Sequence, residues 1–142
     1  MRILALDVGS VRIGVAISDE DQIIAQPLSN IDGKKSPVQD VEELCFKYSV
    51  KTVIIGLPLS MNGGDRGISS RRAKAFGEAL KTRLGLEVIF FDERFSTSEA
   101  NKALISASVK RKKRKEFVDK IAAALILQGY LDQNKASEFL LD

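Results

Sequence analysis

The run Arg2–Asp7 (RILALD) is apolar almost throughout and ends on an acid. A strand with no polar alternation is buried on both faces, so it needs a sheet with a covering layer on each side. Four similar runs follow. Ile13–Ser18 (IGVAIS) comes after a tight connection flanked by Gly9 and Gly14, and Gln22–Leu28 (QIIAQPL) after the polar turn Ser18–Asp21. Connections this short join antiparallel neighbours, so the first three runs form a meander. Thr52–Leu57 (TVIIGL) and Glu87–Phe91 (EVIFF) are each preceded by a helical segment. That alternation predicts parallel strands joined by crossover helices. The expectation is an α/β chain: one mixed five-stranded sheet with helices on both faces, in three layers. In such sheets the site lies at the carboxyl ends of the strands.

The helices are read from caps and spacing. Ser36 is a good N-cap, Pro37 suits the first helical position, and Gln39 completes a capping box. Val38, Val41, Leu44, Cys45 and Tyr48 then recur at helical spacing, which assigns Cys45 to the core. A second helix carries Ala73, Phe76, Leu80 and Leu84, and Gly85 stops it. Ser96 and Glu99 form a capping box for a short helix with Ala100, Ala103, Leu104 and Ala107, and a last helix runs from about Glu116 to Leu131. At 142 residues, with no repeat or linker, the chain is expected to be a single domain with a loose tail over 136–142.

Composition narrows the chemistry. The chain has no histidine and one cysteine, Cys45. This excludes Ser-His-Asp and Cys-His nucleophilic sites, HExxH metalloproteases, Cys-based zinc sites and an internal disulfide. An enzyme of this composition works with carboxylates, lysines, hydroxyls or a metal held by oxygen. The net charge is +3, yet residues 1–65 carry six basic and nine acidic side chains while residues 66–142 carry sixteen and ten. A basic half suits a polyanionic partner. No stretch approaches the roughly 20 apolar residues of a membrane span, and the start, MRILALDVGS, is too short an apolar run for a signal peptide, so a cytoplasmic protein with no membrane partner is expected.

Several acids resist a purely structural reading. Asp7 closes a buried strand, where an unpaired carboxylate costs several kcal/mol, so a cation, a metal or the amides of the Gly9 turn must compensate it. Asp92 and Glu93 follow the fifth strand directly, with Arg94 available to pair with either. Neighbours on an extended chain point to opposite sides, so at most one of the two faces the site, and Glu93 is favoured with Asp92 in reserve. Asp119 lies on a stripe with Ala122, Ala123, Ile126 and Tyr130. It is either a partner of the helix dipole or is aimed into a site. Three carboxylates from separate segments, without histidine, suit an oxygen-only site for Mg²⁺ or Mn²⁺. Two such ions about 3.5–4 Å apart can activate water and stabilise the leaving oxygen in phosphodiester cleavage.

Four segments then carry a resemblance: DVGSVRIGVAIS at the start, VIIGLPLSMNG in the middle, FFDERFST after the fifth strand and VDKIAAALIL in the last helix. Together they resemble the YqgF/RuvX-type family from Arg2 to about Leu131. The resemblance implies a ribonuclease H-like fold. It also implies either nuclease processing of the 5′ end of precursor 16S rRNA or Holliday junction resolution. It implies catalytic metal-ligand roles for Asp7, Glu93 (or Asp92) and Asp119, and nucleic-acid contacts for the GLP loop, Arg94, Ser96 and Thr97. One departure stands out. Resolvase relatives place an acid near the end of the fourth strand, where this chain has Gly56-Leu57-Pro58.

The substrate side is basic. The glycine-rich loop Pro58–Gly67 leads into a helix start with Arg66, Arg71 and Arg72, a phosphate-binding arrangement or a plain surface loop. The run Lys110, Arg111, Lys112, Lys113, Arg114 and Lys115 has no interleaved aromatics. It fits sequence-independent backbone contact better than base stacking, or else a solvated block of like charge. The expected partner is nucleic acid, precursor rRNA or branched DNA, with ribosomal particles as a further partner. A resolvase making two symmetric cuts acts as a homodimer, whereas an rRNA processor can be a monomer. Two other classes compete: an ATPase of the actin and hexokinase type, which needs two such domains, and a binding factor without catalysis, in which Asp7→Asn would be silent.

Overall fold

The structure is a computed structural model that describes residues 1–58, 67–93 and 111–141, without the side chains of 111–119 and 136–141. Five strands form one sheet: β1 (Ile3–Val8), β2 (Arg12–Ser18), β3 (Ala25–Asp32), β4 (Thr52–Leu57) and β5 (Glu87–Asp92), in the order β3-β2-β1-β4-β5. β1 pairs antiparallel with β2, and β2 with β3, while β1–β4 and β4–β5 are parallel. The short connections produce the meander and the helical connections produce the parallel pairs, as the sequence predicts. The helices are α1 (Pro37–Tyr48), α2 (Ile68–Leu84) and α3 (Arg111–Leu141).

The apolar runs explain the layering. Alternate residues of one strand feed two separate cores. Leu4, Leu6, Val53, Ile55 and Val88 meet Val41 and Cys45 of α1 and Ala73 and Leu80 of α2. Ile3, Ala5, Ala16, Ile54 and Phe91 meet Ala123, Ile126, Leu127 and Leu131 of α3. β1 therefore has no polar face to show until its last residues. Among the described residues no helix is long and apolar enough to cross a membrane.

Three local expectations are corrected. β3 begins at Ala25, three residues later than the sequence suggests, and ends at Asp32. The Asp19 carboxylate accepts the N–H of Ile23 at 2.7 Å and of Ile24 at 2.9 Å. With Gln22 at φ 58°, these bonds wind residues 19–24 into a turn and leave Ile23 and Ile24 exposed. They also hold the Asp19 carboxyl below its usual range, the Ile24 amide most strongly, then that of Ile23. At α1, Ser36 occupies the N-cap without a side-chain bond, so the capping box does not form; Pro37 fits the first turn, and Ser49 ends the helix in the left-handed region. α3 runs from Arg111 to Leu141, longer at both ends than expected, so the backbone of 136–141 is helical. Lys, Arg and Glu are strong helix formers, which suits both extensions. The expected helix after Ser96 lies outside the described residues.

Candidate active site

The register brings the carboxyl ends of β1, β4 and β5 together. β1–β4 pairing runs to Leu6 opposite Ile55, which sets Asp7 one step further on, beside Gly56. Gly56 in turn lies opposite Phe91 of β5, and Leu57 opposite Asp92. Side chains alternate between faces along a strand. Ile3 and Ala5 face α3, and so does Asp7; Ile54 faces α3, and so does the open side of Gly56. Phe91 faces α3, and Glu93, just past the strand end, stands on the same side, over Gly56 and beside Ile126 of α3. Asp92 falls in phase with Val88 and Phe90, which belong to the core under α1 and α2. The two adjacent acids are thus separated by the sheet, and Glu93 is the one on the side of Asp7.

Gly56 gives this arrangement its shape. A Cβ built on Gly56 would stand 2.9 Å from Glu93 Oε1, 3.0 Å from Glu93 Cγ and 2.6 Å from Ile126 Cδ1. The Glu93 carboxylate therefore folds back across the bare α-carbon at the end of β4, hemmed by a fully buried Ile126. Two carboxylates, from β1 and from the end of β5, reach the same strand end from either side of β4. Both are half-buried, and both engage other groups.

The remaining expected residues distribute as follows. Asp119 lies in α3 seven residues, about two turns, before Ile126, so its position shares the helix face that packs on the sheet; its side chain is outside the described residues. Among the described residues no three of Asp, Glu, Cys or His stand together as a metal-binding group. Arg71 is exposed and Arg72 half-buried in the first turns of α2. Since α2 carries the chain from the carboxyl end of β4 to the amino end of β5, its N-terminus opens at the same end of the sheet as Asp7 and Glu93. That terminus starts from Gly67 at φ 56°, ψ −120°. Arg111, Lys112, Lys113, Arg114 and Lys115 form the opening turns of α3 by their backbone, so this block is helical. Arg66, Arg94, Ser96, Thr97 and Lys110 lie outside the described residues.

The donor set fits a hard divalent cation. Asp7 and Glu93 offer only oxygen, and the cradle over Gly56 holds one carboxylate at the point where a side chain would displace it. The sequence reading noted Gly56 as standing where an acid is missing from β4, but not as the residue that makes room for Glu93. The available signal was a glycine within a strand of branched apolar residues, which often marks a close approach.

Comparison with known proteins bears on the family and the fold. The family model described as "RuvX: Holliday junction resolvase" matches residues 1–133. A Clostridium beijerinckii protein named "Putative pre-16S rRNA nuclease" is 46% identical over 134 residues, covering 93% of this chain and 96% of that one. Among solved structures, T. thermophilus RuvC in complex with Holliday junction substrate superposes with a TM-score of 0.60 at 13% identity, covering 95% of this chain and 96% of that one. The Fowlpox virus resolvase with its Holliday junction DNA gives 0.56 at 18% identity, covering 94% and 98%. At these identities the two structures speak to the fold, which is ribonuclease H-like.

Proposed function

The chain belongs to the RuvX family, and from that premise we propose that it is a metal-dependent endonuclease that trims the 5′ end of precursor 16S rRNA. The observation that carries the proposal is the register that sets Asp7 beside Gly56, together with the Glu93 carboxylate folded over the same glycine. Asp7, Glu93 and Asp119 would hold Mg²⁺ or Mn²⁺. Such ions supply a water of lowered pKa and neutralise charge on the scissile phosphate. The protein's own part is positional. Asp7 projects from a strand locked between two others, so its carboxylate is fixed without a loop. Glu93 is fixed by the cradle over Gly56. Arg71 and Arg72, with the amides at the start of α2, offer a seat for a neighbouring phosphate. The basic turns at 111–115, next to Asp119, bind the sugar-phosphate backbone irrespective of sequence. Activity on precursor rRNA implies work in the cytoplasm on or beside ribosomal particles.

A second reading, Holliday junction resolution, is supported by the description of the matching family and by the likeness to resolvase folds. It requires a homodimer with two sites. The test is Mg²⁺-dependent cleavage of a precursor 16S 5′ fragment and of a four-way junction, by the wild type and by Asp7→Asn. Cleavage of the RNA by the wild type alone supports the proposal. Paired symmetric cuts in the junction, with the RNA untouched, select the second reading. Failure of the wild type on both substrates overturns the enzyme reading.

A further inference from the structure

We infer that Gly56 is a positioning residue for the metal site: its missing side chain makes the space in which the Glu93 carboxylate stands at the end of β4. The inference rests on the proposed function and deepens it. β4 ends Ile54-Ile55-Gly56-Leu57, with the three residues before Gly56 fully buried. The strand offers no carboxylate of its own there. A carboxylate reaches the same place from the adjacent strand end, because Glu93 crosses the bare α-carbon with Oε1 2.9 Å and Cγ 3.0 Å from the position a Cβ would take. The third neighbour, Ile126 Cδ1 at 2.6 Å, is fully buried in the α3 core, while Glu93 is half-buried. When a methyl group enters this space, the confined isoleucine resists and the partly exposed glutamate yields. Glycine at this position is therefore needed for room, not for backbone conformation. The same contact shows how the fold and the site can be separated by mutation. Ile126→Val removes Cδ1, the atom closest to the new methyl, so Gly56→Ala with Ile126→Val moves one methyl across the interface and leaves apolar volume nearly unchanged. Only Glu93 then remains displaced.

The experiment compares the wild type, Gly56→Ala and Gly56→Ala/Ile126→Val. It reads thermal unfolding, Mn²⁺ affinity from the free-ion electron paramagnetic resonance signal, and single-turnover cleavage with its KM. The expected result is an unfolding temperature for the double variant within a few degrees of wild type. Its Mn²⁺ affinity falls about tenfold or more and its cleavage rate falls with it, while KM for the nucleic acid changes less than twofold. A double variant that binds Mn²⁺ and cleaves within twofold of wild type overturns the inference and leaves the proposed function standing. A wild type that neither binds Mn²⁺ nor cleaves overturns the proposed function, and the inference falls with it. Should Gly56→Ala alone lose its fold, the double variant still decides.

Discussion

Gly77 of α2 offers a test of packing in which two well-known effects oppose each other. Alanine in place of a mid-helix glycine is ordinarily stabilising by about 0.5–1 kcal/mol, since glycine loses more backbone freedom on folding. Here, however, a Cβ on Gly77 would stand 2.5 Å from Phe90 Cζ, 2.7 Å from Phe90 Cε1 and 3.2 Å from Ile55 Cδ1. Contact distances near 3.5 Å would require the ring or the helix to give by about 1 Å. Overpacking of that kind costs about 1–3 kcal/mol. The clash exceeds the propensity gain, so Gly77→Ala is expected to destabilise by about 1–2 kcal/mol, lowering the unfolding midpoint by about 3–7 °C. The assay is thermal and urea unfolding of Gly77→Ala, Phe90→Leu and the double variant. Leucine lacks the Cε1 and Cζ atoms that block the methyl, so in the Phe90→Leu background the same glycine substitution should become neutral or stabilising, a coupling a double-mutant cycle measures. A Gly77→Ala protein more stable than wild type, or a penalty unchanged by Phe90→Leu, would refute the reasoning.

Other outcomes follow from the same structure. Burial pushes the Cys45 thiol up to about 11 from 9.0, which lowers its thiolate fraction near neutral pH by about a hundredfold. Alkylation at pH 8.5 should then be slower than in the denatured chain by at least that order, and equal rates would contradict the assignment. In stability terms the raised thiol value is harmless below 9.0, and its effect appears as lost stability between 9.0 and about 11, where only the unfolded chain ionises. Asp19 has the opposite sign: its lowered value stabilises the fold above the ordinary 3.8 and is lost as pH falls through the folded value. Asp19→Ala should therefore narrow its stability gap from wild type on acidification, read from urea midpoints at pH 7 and pH 3; a constant gap would count against it. Replacing four of the residues 110–115 by alanine should flatten the salt dependence of nucleic-acid binding, each lost phosphate contact reducing the slope by about 0.7–0.9. An unchanged slope would exclude that block from the binding surface.

The sheet was legible because its strands are so plainly apolar. Runs such as ILAL and TVII allow one reading, and connection length alone decides which neighbours are antiparallel. β3 was misplaced because Ile23 and Ile24 look like strand residues, while the turn that exposes them depends on two hydrogen bonds to Asp19, five residues or fewer away. The block at 111–115 looked like a loop because like charges repel, yet its residues are good helix formers and continue α3. Alternation along the strand allows at most one of Asp92 and Glu93 to face the site, and it is the contact over Gly56 that singles out Glu93 as the candidate. The part played by Gly56 was not legible. A sequence shows that β4 ends without an acid, but only the register between β4 and β5 brings Glu93 across that glycine.

The central claim is that chemistry belongs to the face of the sheet that carries Asp7 and Glu93. Its most direct test is the Mg²⁺-dependent cleavage rate of Glu93→Gln measured beside Asp92→Asn on the precursor 16S fragment. Loss of a residue that merely orients a metal ligand costs about 10–100-fold, so removal of a ligand itself should cost Glu93→Gln about a hundredfold or more, while Asp92→Asn, on the opposite face, stays within about threefold of wild type. Equal losses in the two variants, or a larger loss in Asp92→Asn, would contradict the account.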